Sequence, residues 1–187
     1  MIDLENLVSV GGLSIGTNTS LQSLNGLENI TSIYGDVNIG LTSLTSLTGL
    51  IGLTNIEGIL DISQNDELQS LSGLENINSV GHLNLDQNSG LKSLSGLEGL
   101  RTINFGMVII ENDSLNSLSG LEDLTSLQSL YIYSNGPSLT KCDIQSVCTF
   151  LDNGGYAEIF DNGLGCNSTA EVIYECSNIN VSKIIMC

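Results

Sequence analysis

The segment Gly73-Leu74-Glu75-Asn76-Ile77 returns along most of the chain, and that recurrence constrains the fold more than any other feature. Its relatives are Gly26-Leu27-Glu28-Asn29-Ile30, Gly96-Leu97-Glu98-Gly99-Leu100 and Gly120-Leu121-Glu122-Asp123-Leu124. Gly49-Leu50-Ile51-Gly52-Leu53 is a copy without the Glu, and Asp3-Leu4-Glu5-Asn6-Leu7 is a first copy without the Gly. The copies begin at residues 3, 26, 49, 73, 96 and 120, so the period is 23 or 24 residues. A unit of this length cannot bury an apolar face alone, so the copies must stack into a solenoid.

Within the copy Gly73 to Ser95 the apolar positions are Leu74, Ile77, Val80, Leu83, Leu85, Leu91 and Leu94. Steps of three dominate, with one step of two at Leu83-Asn84-Leu85. A step of two marks a strand whose ends both point inward, and steps of three suit tight turns of 3₁₀ character. Each coil is therefore predicted to hold one short strand and a turned return path. The strand column runs Leu13-Ser14-Ile15, Val37-Asn38-Ile39, Leu60-Asp61-Ile62, Leu83-Asn84-Leu85, Met107-Val108-Ile109 and Leu130-Tyr131-Ile132. Stacking pairs these strands in parallel. With aromatics at 4% and no Trp, the shared core is aliphatic. Three residues after the second inward strand position stands Asn18, Asn65, Asn88, Asn112 or Asn135, a register suited to a buried ladder that satisfies backbone groups. Coil two is expected to lack this Asn because it is one residue shorter at Gly40-Leu41-Thr42-Ser43.

The pattern Val80-x-x-Leu83-x-Leu85-x-x-Asn88-x-x-Leu91 resembles the leucine-rich repeat, with one extra residue near its end. The apolar steps of three resemble bacterial surface repeats of the internalin type, and the wording of the repeat is similar to receptor L-domain-like repeats of bacterial secreted and surface proteins. The resemblance covers residues 1–141. It implies a mainly β, right-handed solenoid of about six coils with a parallel sheet, and a binding or adhesion role at the cell surface.

Beyond residue 141 the period is lost, and all five Cys lie there: Cys142, Cys148, Cys166, Cys176 and Cys187. The first four read as a disulfide-stapled cap formed in an oxidising compartment; their spacings match no common zinc pattern. Asp143 is placed to cap a helix over 144–151, Asp152 to Gly155 to end it, 157–161 to form a strand, and Ser168 or Thr169 to cap a second helix running to Cys176. Four Cys allow three pairings; the resemblance to cysteine-bearing caps of extracellular repeats implies Cys142–Cys166 and Cys148–Cys176. The predicted organisation is a solenoid over 1–141, a small α/β cap over 142–176 and a tail over 177–187. The tail is read as an edge strand or the start of a further domain. Disulfides imply an export signal, which the chain, beginning inside its first repeat, is expected to have lost.

A net charge of −17, from 21 acidic residues against Lys92, Arg101, Lys141 and Lys183, excludes nucleic acid and anionic membrane surfaces as partners. No apolar run is long enough to span a bilayer. Catalysis finds little support: His82 is the sole His, and Asp86, also outward on that coil, lies about 13 Å along the strand, beyond acid–base reach. No enzyme is expected and no cofactor. The Glu column (Glu5, Glu28, Glu75, Glu98, Glu122) admits calcium as an alternative to simple solvation. The sequons at Asn18 and Asn112 fall on the buried ladder and read as chance.

Binding finds more support. The outward strand positions are small and polar in the first coils, then Val108, Ile110, Tyr131 and Tyr133, with His82 and Asp86 on the adjoining coil. An outward apolar and aromatic group marks either an interface or a surface over which the cap folds. The expected function is recognition of a protein or glycan through the strand face by a secreted or surface module. The alternatives are a structural spacer and an ice-binding solenoid, the latter disfavoured because Gln22, Thr45, Gln69, Lys92 and Asn116 beside the Ser column (Ser23, Ser46, Ser70, Ser93, Ser117) are irregular.

Overall fold

The computed structural model describes residues 4–185, with residues 179–185 as backbone. It is a β-solenoid of about seven turns built on one ten-stranded sheet. The strands are β1 (Ser9–Val10), β2 (Leu13–Gly16), β3 (Ser32–Ile33), β4 (Val37–Gly40), β5 (Asn55–Ser63), β6 (Ser79–Asp86), β7 (Thr102–Ile103), β8 (Gly106–Ile110), β9 (Ser129–Gly136) and β10 (Tyr156–Asn162). All neighbours pair in parallel, and the register follows the repeat: Leu13 beside Val37, Val37 beside Leu60, Leu60 beside Leu83, Leu83 beside Met107 and Met107 beside Leu130. From Ile33 to Leu121 the inward aliphatic residues are almost wholly inaccessible. Each such side chain contributes roughly 1.5–3 kcal/mol through burial, and none of that is available to a coil by itself.

The recurring Gly-Leu-Glu is a turn with an internal hydrogen bond. The backbone N–H groups of Gly26, Gly73, Gly96 and Gly120 donate to the carboxylates of Glu28, Glu75, Glu98 and Glu122 at 2.7–2.9 Å. Those four glycines have φ between +100° and +113°, a region L side chains rarely adopt. The third coil, which has Ile51 instead of Glu, uses a different turn there: a 3₁₀ segment over Thr48–Leu50, with Gly49 outside the positive-φ set. The Glu column thus has a structural role in its own coils.

The ladder runs through the stack in one direction. Asn65 N–H donates to Asn88 Oδ1, Asn88 N–H to Asn112 Oδ1 and Asn112 N–H to Asn135 Oδ1, each at 3.1 Å. Each amide Nδ2 donates to a strand carbonyl of the preceding coil, Asn88 to Ile62 O at 2.8 Å for example. Two expectations are corrected. Coil two is not shortened at this point: Thr42 occupies the ladder position, donating through its N–H and Oγ1 to Asn65 Oδ1. Asn18, in the first described coil, is exposed, and among the described residues its amide donates to Gly16 O; the sequon conflict therefore holds for Asn112, which is fully buried, and not for Asn18.

The cap is a seventh coil with an insertion. β10 pairs in parallel with β9, placing Ala157 beside Leu130 and Ile159 beside Ile132. Asn162 extends the ladder by accepting from Asn135 N–H, 27 residues earlier. The period therefore survives beyond Cys142, stretched by helix α1 (Gln145–Asp152) in place of a turned return path. Asp143 does not cap α1: Ile144 holds the cap position and no side chain bonds there. Helix α2 (Thr169–Ile185) is capped by Ser168, whose hydroxyl accepts from Glu171 N–H while the Glu171 carboxylate accepts from Asn167 N–H. It runs through Cys176 without a break, so 177–185 is helix and not an edge strand. Cys187 lies outside the described residues. Cys142 is bonded to Cys166 and Cys148 to Cys176. Replacing Cys148 and Cys176 by Ala is expected to cost about 3–4 kcal/mol by freeing the unfolded chain, as read by urea denaturation. The loss is expected to appear in the amide exchange of α1 and α2 before that of β4 and β5.

Candidate functional site

Because β10 lies beside β9, it adds its own outward residues to the face. Tyr156, Glu158 and Phe160 sit against Ser129, Tyr131 and Tyr133. The Tyr133 and Phe160 rings stack at 4.7 Å with planes 3° apart, and Tyr131 meets Tyr156 edge-on at 6.1 Å. Val108 lies beside Tyr131 and Ile110 beside Tyr133. The structure thus gathers Val108, Ile110, Tyr131 and Tyr133 into one patch. The described part of the cap widens the patch instead of folding over it. Tyr156 and Phe160 remain 57% and 45% exposed, large for aromatic side chains on a sheet. The sequence reading missed these two. Their signal was the offset between Ile159 and Asn162, the same as between Ile132 and Asn135.

His82 and Asp86 lie on β6 and do not meet. His82 accepts from Gly106 N–H at Nδ1 (3.3 Å) and stacks on Phe105, ring centres 5.1 Å apart. Its ring thus has a place in the stack and extends the aromatic surface toward Phe105, itself 52% exposed. Asp86 sits in an acidic corner. Gln64 Nε2 donates to Gln87 Oε1 and Gln87 Nε2 to Glu111 Oε2, both at 2.9 Å, while Asn84 Nδ2 donates to Asp61 Oδ2 at 3.1 Å. Among the described residues no donor reaches the buried Oδ1 of Asp61. Partial burial, then the like charges of Glu111 and Asp61, hold the Asp86 carboxyl above its ordinary value. A carboxyl raised in the folded state opposes folding while ionised, and the penalty fades as pH falls through the raised value. Asp86→Asn is therefore expected to raise the urea midpoint at pH 7, with the gain shrinking as pH is lowered toward the ordinary Asp range near ~4.

Glu158 accepts a hydrogen bond from the Tyr156 hydroxyl, and that bond, with the carboxylate's charge, holds the phenol above its usual range. Tyr156 also stands at the mouth of a groove of about 760 Å³ between α1 and the sixth coil, floored by Leu124, Leu127 and Phe150 and edged by Ser146 and Gly155. A shallower hollow of about 190 Å³ lies over Gly16, Gly40, Asp61 and Ser63, where the outward residues are small. Among the described residues no three His, Cys, Asp or Glu side chains converge as a metal site, and no helix is long and apolar enough to cross a membrane. The Ser column spends its hydroxyls locally, Ser70 with Ser72, Ser93 with Ser95 and Ser117 with Ser119.

These features define a class: a parallel β-solenoid with an internal Asn ladder, a disulfide-braced end and an aromatic strand face. Comparison with family models, with curated proteins and with solved structures finds no match to this chain.

Proposed function

We propose that this chain is a non-catalytic binding or adhesion module of the leucine-rich-repeat type, working in an extracellular, oxidising setting, that recognises a protein or glycan through the C-terminal half of its strand face. The observation that carries this reading is the contiguous outward group of half-buried Val108, Ile110, Tyr131 and Tyr133 with exposed Tyr156 and Phe160, on a sheet whose other face is used by the core. Aromatic side chains supply large contact area with little conformational freedom to lose, and such clusters carry much of the energy at interfaces. The strands beneath fix the rings, so a partner meets a preformed surface. The two disulfides support the compartment. The repeat pattern supports the family type, and the Gly106 and Phe105 contacts of His82 support a non-catalytic role for that residue.

The test is an array of proteins and glycans probed with the intact chain and with the Tyr131→Ala/Tyr133→Ala double variant. Each binding signal is expected to fall by at least about tenfold in the variant, in line with the loss of two aromatic anchors. Signals that survive unchanged would favour a spacer.

A further inference from the structure

We infer that the partner's contact segment is a cationic stretch of polypeptide, its Lys or Arg side chains lying over the aromatic patch that runs from Tyr131 and Tyr133 to Tyr156 and Phe160 and among the carboxylates on either side of it. This rests on the strand-face reading above and narrows it to one class of partner.

Charge is distributed unevenly over the molecule. On one side of the patch Glu158 stands between Tyr156 and Phe160 on β10, with Asp161 next along the chain; on the other side Asp86 lies beside Ile110, and Glu111 follows Ile110 in the chain. Asp61 follows one strand further, in the row of Asn84 and Val108. Among the described residues no Lys or Arg occupies an outward strand position. Lys92 and Lys141 lie on the return path, where their backbones pair with Gln69 and Ser117, and Arg101, before β7, is bridged to Asp123 at 3.2 Å. The carboxylates of the face are thus bordered by amides, hydroxyls and rings, with no cation on the same face among the described side chains to neutralise them.

Three partner classes can be compared on that surface. An anionic partner meets like charge at contact and from a chain of net charge −17 at a distance. A neutral partner gains ring contact but strips water from several carboxylates and gives no counter-charge back. A cationic segment gains twice: ammonium or guanidinium groups are attracted to aromatic faces, and the same groups pair with the bordering carboxylates, with long-range attraction speeding encounter. The aromatic patch and the acidic border, separate features of the sequence, call for the same chemistry.

A labelled nona-arginine peptide titrated against the intact protein by fluorescence anisotropy tests the inference. Affinity is expected to fall steeply between low and physiological salt. Tyr131→Ala/Tyr133→Ala and Asp86→Asn/Glu111→Gln are each expected to weaken binding by about tenfold. Glu67→Gln/Asp123→Asn removes the same charge elsewhere and is expected to weaken it by less than about twofold. Circular dichroism and the urea midpoint establish that every variant is folded. Equal weakening by the two carboxylate pairs would mean that the charge acts diffusely, and no binding would mean that the face does not take a cationic segment; either result overturns the inference. The array separates this from the parent reading. If its signals depend on Tyr131 and Tyr133 but come from neutral glycans indifferent to salt, the face binds and the cationic partner is wrong. If no signal depends on those tyrosines, both fall.

Discussion

Gly73→Ala is expected to cost about 3–5 kcal/mol, far more than a methyl group on a surface turn normally does. Two causes act together. Gly73 has φ +113°, and a Cβ there would fall on the Leu47 carbonyl and the Thr48 nitrogen of the preceding coil, well inside van der Waals contact. Those atoms are backbone, fixed by the coil beneath, and cannot rotate away. Gly154 is the comparison within the same chain. It also has positive φ, at +77°, but nothing lies within 4 Å of its would-be Cβ, so Gly154→Ala carries only the conformational penalty of about 1–2 kcal/mol. Urea denaturation of both variants separates strain from inter-coil contact. Equal losses would show that the coils are not packed backbone to backbone at the Gly column.

Asn88→Leu is expected to cost a similar ~3–5 kcal/mol despite keeping the branched shape and heavy-atom count of the side chain. The amide donates to Ile62 O and Asp86 O and accepts from Asn65 N–H, and Asn88 is fully buried. Leu takes the side-chain partner from Ile62 O and Asn65 N–H in a dry interior, at roughly 1–3 kcal/mol each with partial relaxation, while Asp86 O keeps its bond from Gln64 N–H. Asn88→Thr is expected to be milder, because Thr42 already serves at this position by donating to Asn65 Oδ1. Asn18→Leu, at the exposed end, is expected to change the urea midpoint little. A small effect for Asn88→Leu under the same denaturation protocol would overturn the ladder as a source of stability.

Much of this architecture was readable because it repeats. Leu60 and Leu83 occupy one column in the sequence and pair in the sheet, and the Asn register gave the ladder from Asn65 to Asn135 before any coordinates. Legibility failed where the period stretched. With α1 inserted, the strand Tyr156–Asn162 looked like part of a separate cap, so Tyr156 and Phe160 went uncounted on the strand face. The role of the Glu column was hidden for another reason: a carboxylate reaching back to the N–H two residues earlier depends on the φ of Gly73, which spacing does not report. Thr42 was misread because a Thr at an Asn position looks like a deletion when only the amide is sought. The cationic segment inferred above could be argued only once sheet register placed Tyr156, Glu158 and Phe160 beside Ser129, Tyr131 and Tyr133.

The chain of Asn amides has a polarity that matters for how such a protein changes length. Every internal coil donates its ladder N–H to the coil that follows, and Asn162 ends the series inside the disulfide-braced segment. A coil removed at the Asn18 end leaves the backbone N–H groups of the remaining ladder supplied and costs one amide its carbonyl in the lost coil, whereas removing the last segment leaves Asn135 N–H without its acceptor. Removing a copy upstream is therefore expected to cost the ladder N–H groups less than removing the braced segment, which also carries Tyr156 and Phe160.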